Sequence, residues 1–366
     1  MDSLSSPSIN SADHSPIEVV VLIVAYNGRK DLVECLPTVL ASDDSPYLRQ
    51  VLIVDNASSD DVGDWLAQEF PNVVYYRSEQ NLGFAGGNNL GWEVIQQRFP
   101  RTKYIALLNQ DTVVASGWLA RLVDYLEAHA EVACGQSKLL LHPETTRFNT
   151  AGNVCQFLGF GFTTGYRELD EGQYDSPRSI DFPSGAACLV RAEAIREFGL
   201  FDSHFFLYHE DTELGWKSRL AGWDVHYIPD SVVYHKYVYK GDFRNYYYLE
   251  RNRLWLLFVH YRWATLLLIA PAALLMEAGQ LAFAITRGRL RDKLRSYAYF
   301  CHRDNLVRLR QRRRESQAKR KISDREFLGR FKGGVEFSEL RSPVLRWVAN
   351  PILNAYWSIA RRLIFW

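Results

Sequence analysis

The chain has 366 residues, of which 47% are hydrophobic, so it is long enough to bury a sizeable core in one large domain or two. Its 43 Lys and Arg residues against 42 Asp and Glu residues exclude a globally basic nucleic-acid coat and an acidic solvating chain. Five widely spaced cysteines without a CxxC pair indicate reduced thiols in a cytoplasm and suggest no zinc site.

The first part of the chain predicts a parallel sheet covered by helices. Residues 1–17 are rich in Ser, Pro, Asn and Asp, which predicts a disordered lead-in and not a signal peptide. From Glu18 onward, β-branched runs alternate with amphipathic stretches. The predicted strands are 19–26, 51–56, 73–77, 103–109 and a strand pair around 224–235. The predicted helices are 29–41, 86–98, 116–129 and 209–222, and a strand followed by a helix is predicted within 182–199. Residues 141–182 have a weaker pattern and are interpreted as a substrate-facing excursion.

The composition changes after Arg253. Residues 263–285 are mainly apolar, and residues 287–332 hold 17 Lys and Arg against 5 Asp and Glu. The apolar segment reaches the length of a membrane span only by including Glu277, so a buried hairpin, an interfacial helix and a re-entrant segment all stay open. The basic stretch favours contact with an anionic membrane. The Trp-rich tail 344–366 is typical of an interfacial amphipathic helix, with ordinary helical packing as the alternative.

Two polar segments follow predicted strands and suit a nucleotide. VDNASSDD (54–61) puts Asp55 at the carboxyl end of a strand, where ligands bind in open α/β sheets, although Asp and Asn are also ordinary turn formers there. NLGFAGGNNLG (81–91) has four glycines where a strand gives way to a helix. It fits either a phosphate cradle or a tight turn with a helix cap, and it is neither GxGxxG nor a Walker loop.

Two acidic segments suit catalysis. NQDT (109–112) places Asp111 after an apolar strand, which suits a hard divalent cation or a simple helix cap. HEDTE (209–213) crowds carboxylates at a predicted helix start. Such residues either complement the helix dipole or, when their proton affinity is raised, act as a general base. His235 ends a strand, and a lone histidine is more often structural than a ligand.

The order of these segments, together with VVVLIVAYNGRKDL, SGAACLVRAEAI and FGLFDSHFFLYHEDTELGWKSRLAGW, resembles family 2 inverting glycosyltransferases, above all the rhamnosyltransferase-like and galactofuranosyltransferase-like members. The resemblance covers roughly residues 17–255. It implies an α/β GT-A fold, which is a Rossmann-like, mostly parallel sheet flanked by helices, with a helical C-terminal extension. The implied parts are a glycosyltransferase domain at 18–253 and a helical, basic, membrane-associating region at 254–366.

The resemblance also implies roles for particular residues. Asp211 would be the catalytic base, and Asp111 and His235 would bind Mg²⁺ or Mn²⁺. Asn109 stands where the commonest form of the family motif has Asp, which lowers the local negative charge. The nucleotide-sugar would contact Ala25, Tyr26, Asn27, Asp55, Asn81, Gly83, Gly87, Asn88, Asn109 and Gln110. The acceptor would contact Gly185, Glu210 and Trp216, with packing in the helix core as the alternative for Trp216. Glu210 and Glu213 are candidates for hydrogen bonding to the acceptor and for holding the loop.

The expected activity is therefore metal-dependent transfer of a sugar, with inversion, from dTDP-rhamnose to a glycan or lipid-linked glycan at the inner face of the cell membrane. The alternatives are a galactofuranosyl- or other hexosyltransferase that uses a UDP-sugar, a sugar-phosphate nucleotidyltransferase and a non-catalytic binding scaffold. A nucleotidyltransferase needs a Gly-rich basic loop after the first strand, and AYNGRKDL is a poor version of one. Nucleic acid is not an expected partner, because the basic stretch lacks interleaved aromatic residues. A homo-oligomer is left open.

Overall fold

The computed structural model describes residues 18–42, 46–237, 245–336 and 343–366, so the predicted lead-in at 1–17 lies outside the described residues. Within the described residues, ten strands form one sheet and two more form a small separate hairpin. The strands are β1 Glu18–Ala25, β2 Leu48–Asp55, β3 Val74–Arg77, β4 Tyr104–Asn109, β5 Thr112–Val114, β6 Val132–Leu141, β7 Phe148–Thr150, β8 Asn153–Cys155, β9 Gly161–Thr163, β10 Arg178–Ser179, β11 Ala187–Arg191 and β12 Asp224–His235.

Helices cover the sheet and then form a separate C-terminal group. A 3₁₀ turn spans Ser203–Phe205, and a π-helical turn spans Leu345–Ala349. The α-helices are α1 Arg29–Ala41, α2 Val62–Glu69, α3 Gly83–Arg98, α4 Trp118–Ala128, α5 Ala192–Phe198, α6 Glu210–Leu220, α7 Tyr246–His260, α8 Trp263–Thr286, α9 Leu290–Tyr299, α10 Arg303–Lys319, α11 Asp324–Leu328 and α12 Asn350–Leu363.

The main sheet has the order β10-β12-β6-β11-β4-β1-β2-β3, and β3, β2, β1 and β4 are mutually parallel. Residues of β1 alternate between the two faces of the sheet. Val20 and Leu22 join one buried apolar cluster, while Val21 and Ile23 join the other. Both faces are therefore covered, which explains why these strands are apolar throughout. The predicted α/β architecture with a mostly parallel sheet and a helical C-terminal extension is confirmed.

Three local predictions were wrong. The glycine-rich helix begins at Gly83 and not near residue 86. The predicted strand pair around 224–235 is one strand, β12, whose register against β6 shifts between Ile228 and Val232. Strand β6 was not predicted, although all of its residues are buried.

The C-terminal helices pack against the sheet domain. The predicted domain boundary at residue 253 falls inside α7, which runs unbroken from Tyr246 to His260. Helix α7 contacts both α9 and α10, so the C-terminal group is joined to the sheet domain by a shared helix. The sequence change after Arg253 therefore marks a change of composition within one helix.

Candidate active site

The carboxyl ends of the parallel strands meet at one edge of the sheet. Ala25 at the end of β1 pairs in register with Asp55 at the end of β2, and Val24 pairs with Asn109 at the end of β4. The side chains that follow these strands are consequently brought together, although they are far apart in the sequence. Edges of this kind are where open α/β sheets bind ligands.

Asp55 is fully buried at this edge and already has protein partners. Its Oδ1 accepts from the Ser58 N–H (2.8 Å), and its Oδ2 accepts from the Tyr75 hydroxyl (2.6 Å) and from Arg77 Nη1 (2.5 Å). Burial alone would raise the pKa of Asp55, but these hydrogen bonds and the charge of Arg77 bring it below its usual value. The Asp55 carboxylate therefore fixes the turn that follows β2.

We expect Asp55→Ala to destabilise the protein by roughly 2 kcal/mol, because it leaves three donors without their charged acceptor. Chemical denaturation followed by circular dichroism would measure the change. Asp64→Ala is the matched control, since Asp64 is exposed on the nearby helix α2. Equal stabilities for the two variants would contradict the anchoring role.

The turn after β1 is hydrogen-bonded to the turns that follow β4 and β2. The Tyr26 N–H donates to Gln110 Oε1 (3.0 Å), and the Ser59 N–H donates to Asn27 Oδ1 (2.8 Å). A Cβ on Gly28 would lie 1.8 Å from Gln110 Oε1, so only glycine leaves room for that bond. The Tyr26 ring is 48% exposed and is thus available to a ligand.

The glycine-rich segment divides into an open end and a buried helix. Asn81 is exposed, and its Oδ1 accepts from Asn56 Nδ2 (3.0 Å) and from the Gly83 N–H (2.8 Å). Gly87 and Asn88, by contrast, are buried within α3. A Cβ on Gly87 would lie 2.7 Å from Val24 Cγ1, and Asn88 Nδ2 donates to the Phe84 carbonyl (2.9 Å). The expectation that Gly87 and Asn88 contact the nucleotide-sugar is therefore corrected: Gly87 lets the helix pack closely on β1, and the Asn88 side chain bonds within the helix.

Asp111 and His235 come together across the β5–β12 pairing. His235 Nε2 lies 3.4 Å from Asp111 Oδ1, while His235 Nδ1 lies 2.9 Å from Asn149 Oδ1. The contact with Asn149 orients the ring and directs Nε2 at the carboxylate. Burial alone would raise the pKa of Asp111, but the hydrogen bond and charge of His235 bring it below its usual value.

This donor set fits a hard divalent cation only in part. Within the described part of the chain, no three His, Cys, Asp or Glu side chains lie close enough together to hold a metal ion by themselves. One carboxylate and one imidazole suit Mg²⁺ or Mn²⁺ when phosphate oxygens and water complete the shell. Asp111 and His235 are therefore suited to hold a cation that arrives with a diphosphate.

Asp211 lies in the first turn of α6, and its two oxygens differ. Oδ2 accepts from the Gly185 N–H (3.0 Å), whereas Oδ1 is buried without a hydrogen-bond partner among the described residues. Burial raises the pKa of Asp211 to about 6, although the Gly185 bond opposes the shift. A carboxylate with a free oxygen and a pKa near neutrality has the properties of a general base.

The loop before α6 has a strained backbone. Phe206, Tyr208 and His209 all have positive φ angles between 59° and 68°. Asn252, fully buried in α7, holds this loop by donating from Nδ2 to the carbonyls of Leu207 (2.9 Å) and Tyr208 (2.7 Å). Asn252 was not predicted as a functional residue.

The opposite side of α6 faces the C-terminal helices. Glu213 lies two residues beyond Asp211, which turns it to the other face of the helix. Its Oε2 lies 3.3 Å from Lys217 Nζ, and its Oε1 lies 3.7 Å from His260 and 4.0 Å from Arg312. Burial would raise the pKa of Glu213, but Lys217 and the other cations hold it well below its usual value. Glu213 anchors the helix and has no exposed surface for an acceptor.

The acceptor predictions were partly wrong. Trp216 is fully buried, donates from Nε1 to Cys155 Sγ (3.1 Å) and stacks on Tyr261, so it cannot stack on a sugar. Glu210 is 6% exposed, and its Oε2 has no hydrogen-bond partner among the described residues. Burial and the charge of Asp211 raise its pKa well above the usual value. Gly185 does face the candidate base, since a Cβ there would lie 2.6 Å from Asp211 Oδ1.

Short backbone links connect the base to the candidate cation site. The Asn109 N–H donates to the Ala186 carbonyl (3.0 Å), so Asn109 and Asp111 lie beside the segment whose Gly185 binds Asp211. The Phe84 N–H donates to the Phe206 carbonyl (2.8 Å), which ties the glycine-rich segment to the loop before Asp211. The predicted donor, metal and base residues therefore lie along one edge of the sheet.

A cleft of about 410 Å³ lies elsewhere, between the 3₁₀ turn and α10. Its lining includes Asp202, His204, Arg308 and Arg312, and none of the predicted site residues. Arg312 also donates to Asp202 (3.0 Å). This cleft adjoins the Glu213 side of α6 and not the Asp211 side.

Known proteins resemble the chain over its sheet domain. The family model described as "Glycosyltransferase like family 2" matches residues 16–253. The N-acetylglucosaminyl-diphospho-decaprenol L-rhamnosyltransferase of Mycobacterium tuberculosis is 26% identical over 234 residues, covering 59% of this chain and 75% of that protein. Rhamnosyltransferase WbbL of Escherichia coli is 24% identical over 221 residues, covering 58% of this chain and 81% of that protein.

A solved structure shows the same fold. The crystal structure of GalNAc-T7 with UDP, GalNAc and Mn²⁺ aligns with a TM-score of 0.55 at 18% identity. The alignment covers 69% of this chain and 49% of that one, so the chain spans about half the length of this neighbour. At this identity the likeness concerns the fold alone, and it confirms the GT-A architecture.

Proposed function

The chain belongs to the glycosyltransferase family 2, and from this premise we propose that it transfers rhamnose from dTDP-rhamnose to a lipid-linked glycan, with inversion and with the help of a divalent cation. The proposal that this is a base-catalysed transfer rests on one observation. Asp211 presents a buried, unpartnered oxygen and a pKa raised to about 6 at the sheet edge that also holds Asp111 and His235. The choice of rhamnose is supported by the two rhamnosyltransferase relatives.

The mechanism follows from the residues at this edge. Asp211 Oδ1 takes the proton of the acceptor hydroxyl as that oxygen bonds to the anomeric carbon from the face opposite the leaving group. The bond from the anomeric carbon to the phosphate oxygen breaks, and its electron pair leaves with the nucleoside diphosphate. Asp111 and His235 would hold a divalent cation that stabilises the negative charge on the departing diphosphate. One displacement inverts the anomeric centre and needs no covalent nucleophile.

The remaining residues position these groups. The Gly185 N–H fixes Asp211 Oδ2, and the clamped 206–209 loop sets where α6 begins. Asn149 orients the His235 ring by its bond to Nδ1. Tyr26, Asn27, Asn81, Asn109 and Gln110 lie where the donor nucleotide would bind, around the turn that Asp55 anchors.

The proposed organisation is a catalytic domain at 18–253 and a helical region at 254–366 that associates with the inner face of the cell membrane. A lipid-linked acceptor requires the enzyme to work at such a surface. The relative from Mycobacterium tuberculosis is named for a decaprenol-linked substrate, which supports this choice of acceptor.

A donor panel tests the proposed function. We expect dTDP-rhamnose with Mn²⁺ to raise the melting temperature of the full chain more than UDP-galactofuranose or GDP-mannose at the same concentration, because a ligand that binds the folded state stabilises it by mass action. The panel is repeated with EDTA in place of Mn²⁺. A larger shift with the UDP-sugar would replace rhamnose by another sugar, and no shift with any donor would contradict the transferase mechanism.

A further inference from the structure

Helix α8 has an apolar face turned to solvent. Among the described residues it is the one helix long and apolar enough to cross a membrane, yet only 11% of its most apolar window is buried within the protein. Leu267, Leu274, Leu275 and Ile285 are 60–75% exposed. Leu267, Leu274 and Ile285 are separated by close to whole numbers of helical turns and so form one stripe along the helix, which Leu275 flanks. A solvated stripe of this kind indicates a partner surface.

The C-terminal segment has a second such face. Val344, Val348, Ile352, Ile359 and Leu363 are 51–68% exposed, and their spacing places them on one side of the π-helical turn and α12. Leu353, Trp357 and Ala360 on the other side are buried against the protein. Packing against the protein therefore explains the buried apolar side of α12, and the exposed apolar side is left without a partner among the described residues.

The two helices lie side by side. The Tyr356 hydroxyl of α12 donates to the Leu268 carbonyl of α8, and Trp366 Nε1 donates to Thr265 Oγ1 (2.8 Å). Their exposed stripes consequently adjoin. We call the combined surface, formed by the exposed apolar residues of α8 and of 344–365, the apolar plate.

Helix α8 is held against the protein along its length. Near its start, Thr265 donates to Asp324 of α11, and near its end Ala284 is buried. Between them, Glu277 lies 2.6 Å from Lys293 Nζ and Gln280 Oε1 accepts from the Tyr246 hydroxyl (2.9 Å). Residues 265–284 span roughly 30 Å at ~1.5 Å per residue. A helix fixed over that length cannot also stand across a bilayer, so it lies flat.

Positive charge borders the plate. Arg346, Arg361 and Arg362 are exposed, and none of them forms an ion pair with another residue in the described part of the chain. The segment 343–366 contains no Asp or Glu at all. The guanidinium of Arg346 lies 4.9 Å from the Trp347 ring centroid, and that of Arg313 lies 4.3 Å from the Trp263 ring centroid. Arg and Trp beside an apolar face are typical of the headgroup region of a membrane.

We propose that the apolar plate docks in the plane of an anionic lipid bilayer, with α8 and α12 lying flat in one leaflet. The charge pattern favours this occupant over a second copy of the chain, because the exposed arginines of 343–366, a segment without Asp or Glu, would repel those of a duplicate. The inference deepens the proposed action at a membrane, and it names the surface and the mode of attachment.

The test is flotation of the full chain with vesicles of phosphatidylcholine that contain roughly one-third phosphatidylglycerol. We expect binding to these vesicles, at least tenfold weaker binding to phosphatidylcholine alone, and loss of about tenfold or more in the double variant Leu267→Glu/Leu274→Glu. The matched control is Val33→Glu/Leu169→Glu, at positions 51% and 44% exposed outside the plate, which should bind normally. Circular dichroism melting checks that both variants fold.

Further measurements separate the alternatives. Carbonate washing should release the bound protein, and retention in the vesicle pellet would overturn the in-plane arrangement in favour of a span. Light scattering without lipid should give the same mass for the double variant and the unmodified chain. The lipid assignment would be overturned if the unmodified chain were a dimer, the double variant were a monomer and neither bound vesicles. Transfer to a short-chain soluble acceptor should be unchanged in the double variant. Loss of vesicle binding with normal transfer therefore concerns the plate, whereas absence of transfer in the unmodified chain concerns the proposed function.

Discussion

Replacing Asp211 by Asn is expected to lower kcat by about 10³-fold while donor binding stays intact, because general base catalysis typically contributes 10²–10⁴-fold. Asn keeps the bond from the Gly185 N–H through its amide oxygen but cannot accept a proton at the position of Oδ1. Single-turnover transfer from dTDP-rhamnose would measure the loss, and calorimetric titration of the donor would show that binding survives. The melting temperature of the variant should equal or exceed that of the unmodified chain above pH 6, since a buried charge has been removed.

The pH profile gives a second readout of the same residue. A pKa raised to about 6 means that Asp211 still holds a proton at pH 5 and has lost it by pH 7. Because the base must be unprotonated, kcat should rise as the pH increases through about 6 and then level off. The Asn variant should lose this limb of the profile along with most of its rate.

Glu210→Gln is the matched control for the base. Glu210 is the neighbouring buried carboxyl, and it too has an oxygen without a partner among the described residues. If Asp211 is the base, the Glu210→Gln variant keeps most of its kcat, and its kcat still rises as the pH increases through about 6. A collapse of transfer in Glu210→Gln with near-normal rates in Asp211→Asn would assign the base to Glu210.

Replacing Asp111 by Asn is expected to lower metal-stimulated transfer by roughly 100-fold, because one developing charge on the leaving group loses its stabilising contact. The amide preserves the size of the side chain and weakens its affinity for a hard cation. Binding of Mn²⁺ in the presence of dTDP, followed by electron paramagnetic resonance, gives a readout that is independent of turnover. That affinity should fall in the variant.

Asp31→Asn is the control for this substitution. Asp31 Oδ1 lies 3.6 Å from Nζ of Lys236, the residue after His235. Its replacement by Asn therefore removes a nearby charge and leaves the candidate cation site unchanged. Unchanged Mn²⁺ affinity in Asp111→Asn, or an equal loss in both variants, would contradict the assignment of Asp111 as a ligand.

The strands that build the site could be predicted from the sequence because their signals are local. VVVLIVA, VLIVD and YIALLN are apolar runs that end in polar residues, and parallel pairing brings those ends to one edge. The strand β6, VACGQSKLLL, escaped prediction because Gly, Gln, Ser and Lys interrupt its apolar pattern. Several of these side chains bond partners from other elements; Gln136 Oε1, for example, accepts from Asn153 Nδ2 of β8 (3.1 Å).

Residues that act through tertiary contacts were beyond the sequence patterns. Trp216 was a candidate for sugar stacking with helix-core packing as the alternative, and its ring lies in the core because α6 is buried on almost every side. Asn252 is a single amide in an aromatic-rich helix, and nothing near it in the sequence indicates that it holds a loop about 45 residues earlier. Gln110 was expected to contact the nucleotide-sugar, whereas its bond with the Tyr26 N–H becomes apparent only when the strand ends lie side by side.

Helix α7 has a consequence for where the enzyme ends. The family match stops at residue 253, but α7 continues to His260 and reaches the far side of the acidic helix there. If the chain were shortened to the matched region, α7 would end directly after Asn252. Glu213 would then lose its contacts with His260 and Arg312. We therefore expect the smallest catalytically competent unit to extend past the family match, because the C-terminal helices support α6 from the side opposite Asp211.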